Sequence, residues 1–121
     1  MKTEIKNQWL AALRSGEYVQ GKNALGLKVD DTVEYCCLGV LCDLAVQAGV
    51  IPAPEIHRNS ALEYGFADER YTLPLEVRDW AELDSVDVWV RVDGVEVALP
   101  QLNDVEGLTF NELADIIEAQ L

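Results

Sequence analysis

Between Val86 and Leu99 the chain alternates apolar and polar residues with a period of two, and Asp93-Gly94 interrupts the alternation near its midpoint. Val86, Val88, Val90 and Val92 precede the dipeptide, separated by Asp87, Trp89 and Arg91, and Val95, Val97 and Leu99 follow it. That period belongs to a strand with one buried face, and Asp-Gly suits a type I′ turn, whose twist closes a two-residue hairpin. The register follows from the turn: Val92 faces Val95, Arg91 faces Glu96, Val90 faces Val97 and Trp89 faces Ala98. The valines are expected to fill the core. Trp89 then stands beside Arg91 on the opposite face, either covered by another element or open to a ligand, and Pro100 stops the strand.

The flanking segments read as helices. Ile5, Trp9, Ala12 and Leu13 recur at helical spacing and Arg14 with Gly16 closes the pattern, predicting a helix over 3–15. Leu38, Leu41, Leu44 or Ala45, and Ala48 predict a second over 37–48, ended by Gly49 with Pro52 and Pro54 beyond. Pro74, Val77, Trp80 and Ala81 predict a short third helix, with proline at its first position, up to about Leu83. Thr109-Phe110-Asn111-Glu112 matches a capping box, and Leu113, Ile116, Ile117 and Leu121 give the last helix its buried face. The segment 17–31 reads as a surface crossing before a short strand over 33–35, and 50–71 as an irregular excursion with at most one helical turn. One α+β domain of 121 residues is expected, with helices packed on a small antiparallel sheet that contains the 86–99 hairpin.

Twenty-two acidic residues stand against nine basic ones, a net charge of -13 that opposes broad contact with a nucleic-acid backbone or an anionic membrane. The acids form no long block, and their simplest use is a soluble surface; the sharper reading is a mimic of nucleic-acid charge that fills a partner's basic groove. The three cysteines, two of them adjacent, do not make a disulfide framework. No signal-peptide core follows Lys2 and Lys6, and no run approaches membrane-spanning length, so a cytoplasmic protein with free thiols is expected.

Tyr35-Cys36-Cys37-Leu38-Gly39-Val40-Leu41-Cys42-Asp43 gathers all three cysteines where a strand meets a helix, as a buried hub would. Cys36 and Cys37 at a helix start occupy a place where a thiol can become a nucleophile, but the sole histidine, His57, lies in a segment whose position the sequence does not fix. Packing is the preferred role for the cysteines. Their spacing also lacks the paired ligand turns of zinc sites, and no phosphate-loop pattern surrounds Gly21, Lys22 or Gly26, so no metal or cofactor is expected. From Arg14 to Lys22, however, an acidic chain concentrates a cation at each end with Ser15, Tyr18 and Gln20 between. A small anionic or nucleobase-containing ligand suits that mixture. The bland alternative is a helix end in which Arg14 complements the dipole, Tyr18 covers the core and Gln20 satisfies loop backbone. Arg91 pairing with Glu96, and Asn103-Asp104 serving as turn residues, are bland readings of the same kind.

Ala12-Leu13-Arg14-Ser15-Gly16-Glu17-Tyr18-Val19-Gln20-Gly21, the run Cys36 to Leu44, Leu102-Asn103-Asp104 and Thr109 to Glu118 together resemble a family of small proteins encoded by bacteriophages and prophages. The resemblance runs from the first helix to the C-terminus and is least distinctive over 50–71. It implies an accessory role in infection, counter-defence being the natural class, exercised by binding rather than turnover. The leading expectation is a binder of a small nucleotide-like host signal. Arg14 and Lys22 would contact anionic groups, Tyr18 or Trp89 (beside Arg91) would stack on a base, and Gln20 or Asn103 would bond its edge. The alternative is an acidic inhibitor or nucleic-acid mimic directed at a basic host protein; a small hydrolase using Cys36 or Cys37 comes third. A homodimer through the hairpin edge is a further expectation, which Arg91 and Glu96 oppose as edge charges.

Overall fold

The computed structural model describes residues 1–58 and 61–121. The helix expected over 3–15 is α1, Thr3–Arg14, with Ile5, Trp9, Leu10 and Leu13 buried along one face and Gly16 at φ 76 just beyond its end. The second is α2, Cys37–Gln47, buried without interruption from Cys37 to Cys42. The Trp9 indole is fully buried and its Nε1 donates to the Cys37 carbonyl at 2.9 Å, so one side chain locks the two helices together. A polar atom taken into a core must find such a partner.

Gly39 explains how closely α2 approaches the sheet. A Cβ at this position would stand 1.8 Å from the Leu25 carbonyl oxygen, so only glycine lets the helix settle there. Leu25 leads into β2, Gly26–Val29, which turns through Asp30 (φ 54) into β3, Thr32–Tyr35. The two-residue β1, Val19–Gln20, runs parallel to β3. β4, Glu55–Arg58, and β5, Leu62–Gly65, pair antiparallel and join β2 through β5, giving a mixed sheet ordered β1-β3-β2-β5-β4.

Three readings of the sequence are corrected here. The surface crossing at 17–31 carries β1 and β2, and the excursion at 50–71 carries β4 and β5; its residues 59 and 60 lie outside the described residues. These strands are short and mostly half-exposed, and backbone pairing holds them without apolar alternation. Pro100 ends the ribbon by opening a helix, α4, Leu99–Asp104, with proline in its first turn. Between the sheet and the ribbon lies α3, Leu75–Ala81, for which Pro74 is the N-cap.

The hairpin has the expected register: β6, Trp89–Val92, and β7, Val95–Ala98, pair Val92 with Val95, Arg91 with Glu96, Val90 with Val97 and Trp89 with Ala98. Asp93 and Gly94 take φ 53 and 80, as the turn requires. It forms a two-stranded sheet of its own, apart from the larger one. Val88 and Val90 are buried and Val92 and Val97 half-buried, whereas Val95, next to the turn, is 61% exposed; the core-facing row empties toward the ribbon's tip. On the outer edge of β6, the Arg91 N–H donates to Gln120 Oε1 and Gln120 Nε2 donates to the Arg91 carbonyl, both at 2.7 Å. Gln120 belongs to α5, Phe110–Gln120, which opens with the anticipated capping box between Thr109 and Glu112. The buried residues of the helices, sheet and ribbon form one core cluster, an α+β domain.

Candidate functional site

The exit of α1, β1, the end of α4 and the start of α5 meet around Gln20. Its side-chain oxygen accepts from the Phe110 N–H at 3.0 Å, and its nitrogen donates to the Leu108 carbonyl at 2.8 Å and to Asn103 Oδ1 at 2.9 Å. Asn103 is fully buried, and its nitrogen donates to the Gly21 carbonyl at 2.9 Å and to Asp104 Oδ1 at 2.7 Å. Both donor hydrogens and the oxygen of each amide are therefore engaged within the fold. Asn103 is a helix residue that binds the sheet to α4, which corrects the turn reading. Gln20 caps a free N–H of α5's first turn, where helices lack internal partners.

Arg14 reaches across to α5, where its Nη2 lies 2.8 Å from Asp115 Oδ1 and 3.2 Å from Glu118 Oε1. Hydrogen bonding to Asp115, then to Glu118, holds the guanidinium pKa above its ordinary value. The Tyr18 hydroxyl donates to Asp43, whose Oδ2 also accepts from Gln47 Nε2 at 2.8 Å, and its ring meets that of Tyr35 edge to face at 5.3 Å. Burial first, and the Asp43 hydrogen bond second, push the phenol's pKa up, so it stays a neutral donor. Asp43 and Gln47 were not singled out from the sequence, although their i, i+4 spacing on a helix is the signal for such a pair. Arg14, Tyr18 and Gln20 do share a cavity, about 260 Å3, completed by Thr109, Phe110 and Asn111. Lys22 is exposed and lies toward Gly107.

The fold does not bring Trp89 and Arg91 to that cavity. Gln20 is bonded to Phe110, at one end of α5, and the Arg91 backbone to Gln120, at the other; ten helical steps separate them by about 15 Å. Trp89, 51% exposed, instead borders a cavity of about 310 Å3 with Glu82, Asp84 and Glu96. Arg91 faces Glu96 across the ribbon, but no ion pair joins them among the described residues. The loop leading to the ribbon ends at Val88, which has φ 52. That conformation costs a β-branched residue about 1–3 kcal/mol, and the Val88 carbonyl's bond from the Leu99 N–H at 3.0 Å helps to hold it.

Cys36, Cys37 and Cys42 are all buried. Burial pushes the Cys36 thiol up to about 11 and lifts Cys37 and Cys42 well above the ordinary thiol value. The helix start therefore does not activate them. His57 sits on β4 with its ring against Gly65, where an added Cβ would lie 2.5 Å from Nε2. Among the described residues no group of three or more His, Cys, Asp or Glu is arranged to hold a metal ion. No helix among them is long and apolar enough to cross a membrane.

A family model described as a domain of unknown function, DUF8296, matches residues 1–121, and the chain belongs to that family. No curated protein and no solved structure matches it.

Proposed function

We propose that the protein acts by non-covalent binding, presenting its acidic surface to a basic partner protein. The observation that carries this reading is the state of the cationic cluster: Arg14 is held by two carboxylates, and the amides of Gln20 and Asn103 are spent on the fold. An anionic ligand would have to displace Asp115 and Glu118 from Arg14 against a net charge of -13. A basic partner is drawn in by the same field. Turnover by thiol chemistry is disfavoured, since all three thiols are buried and burial pushes their pKa values up, keeping them protonated at neutral pH. The resemblance to bacteriophage and prophage proteins supplies the setting: a host factor in the bacterial cytoplasm whose nucleic-acid groove is occupied as counter-defence.

The test is binding to an immobilised basic nucleic-acid-binding domain, with duplex DNA as competitor. Binding is expected to weaken at least tenfold between 50 and 200 mM salt, roughly as multi-contact ionic complexes do, and to be displaced by DNA. Binding that ignores both salt and DNA refutes the reading. A small nucleotide-like ligand is the second reading, favoured by the shared cavity of Arg14, Tyr18 and Gln20. Its volume of about 260 Å3 lies below the roughly 300–1,000 Å3 of typical ligand sites. A thermal shift on adding nucleotides that disappears in Arg14→Ala and Lys22→Ala would favour this second reading over the first.

A further inference from the structure

An aromatic ring, an apolar wall and three carboxylates meet where the loop after α3 enters the ribbon. Leu83 and Val88 are buried and line the cavity of about 310 Å3, and the Trp89 indole stands on it with 51% of its surface exposed. Glu82, Asp84 and Glu96 border the same space, with Met1 and Leu121 also lining it, and among the described residues none of the three carboxylates forms an ion pair. The cation that lies over an aromatic ring among these residues is Arg70 on Tyr71, and Trp89 has none. An anion entering here meets three carboxylates, and a purely apolar group strips water from them without replacing its hydrogen bonds. A guanidinium or ammonium group satisfies both elements, drawn to the indole face and donating to the acids.

We propose that this cavity receives an arginine or lysine side chain of the basic partner, with the cation against the Trp89 ring and its N–H groups on Glu82, Asp84 or Glu96. The assignment rests on the acidic docking reading and names its anchor point. Arg91, on the same ribbon face as Trp89, is the nearest competing charge on that ribbon, so its removal strengthens the site.

The experiment is an NMR titration that follows the Trp89 indole N–H, assigned with Trp89→Phe. The probes are a capped pentapeptide with one arginine, its lysine version and its citrulline version. The arginine and lysine peptides are expected to shift the resonance and the citrulline peptide to leave it unmoved. Combined Glu82→Gln, Asp84→Asn and Glu96→Gln should weaken binding at least tenfold, and Arg91→Ala should tighten it about twofold, all with unchanged circular dichroism. Equal shifts from citrulline, or full affinity in the triple variant, overturn the proposal. If the basic domain binds in a salt-sensitive way while the Trp89 resonance stays still, the cavity assignment fails and acidic docking stands. If neither domain nor peptide binds, both fail.

Discussion

Replacing Gly39 with alanine sets two physical effects against each other, and the structure decides the sign. Helix propensity alone favours alanine over glycine inside α2 by about 1 kcal/mol. The added Cβ, however, would lie 1.8 Å from the Leu25 oxygen, 2.7 Å from its carbonyl carbon and 3.3 Å from its Cα. These are backbone atoms, so no rotamer change relieves the clash. To reach ordinary contact at 3.4 Å the helix and the Leu25 peptide must separate by about 1.6 Å. Leu25 is fully buried, and its oxygen accepts from the Cys36 N–H at 3.3 Å while its own N–H donates to the Arg70 carbonyl at 2.8 Å. Overpacking of about 3 kcal/mol and a weakened backbone bond of about 1 kcal/mol outweigh the propensity gain, leaving a net loss of about 3 kcal/mol. For a domain of this size that is a fall in Tm of roughly 10 °C. Urea unfolding followed by circular dichroism measures it, with Gly49→Ala as a control at a position where an added Cβ meets nothing within 4 Å but φ is 75. A Gly39→Ala protein as stable as the parent would refute the close approach of α2 to Leu25.

Two further outcomes follow from groups already described. Gln20→Ala strands the Phe110 N–H, the Leu108 carbonyl and the Asn103 oxygen together, and is expected to cost about 2 kcal/mol in urea unfolding, whereas a solvent-facing glutamine would cost almost nothing. Cys36 has a folded-state pKa raised to about 11 from an ordinary 9, so its contribution is intact below pH 9 and is lost as pH rises to 11, where unfolded thiols ionise and the folded one resists. About 3 kcal/mol of stability should drain over that window from this thiol alone, and Cys36→Ala should flatten the alkaline limb of a plot of urea midpoint against pH.

The parts of the fold legible in the sequence are those where local pattern and tertiary role agree. Asp93-Gly94 and the valine alternation of β6 fix the ribbon's register because a one-residue slip would turn the buried Val90 into solvent. Thr109 and Glu112 announce α5 through a purely local exchange of hydrogen bonds. β4, by contrast, is Glu-Ile-His-Arg with one apolar residue in four, and nothing local distinguishes it from a loop until β5 lies beside it. α4 was hidden by Pro100, which ends a strand and starts a helix with the same missing N–H. Arg14, Tyr18 and Gln20 were found together because they are neighbours in the chain. The company of Trp89 was missed because Glu82 and Asp84 reach it only through the path of the intervening loop.

Gln120 has a consequence for how copies of this protein can associate. Its amide presents one acceptor and one donor to the Arg91 peptide, the same pair that an incoming strand would offer at that position. The flank of β6 is thus occupied by an imitation strand one residue long, which nothing can extend. Open-ended stacking of ribbons into a fibril needs two free flanks on every unit, and here one is plugged from within the molecule.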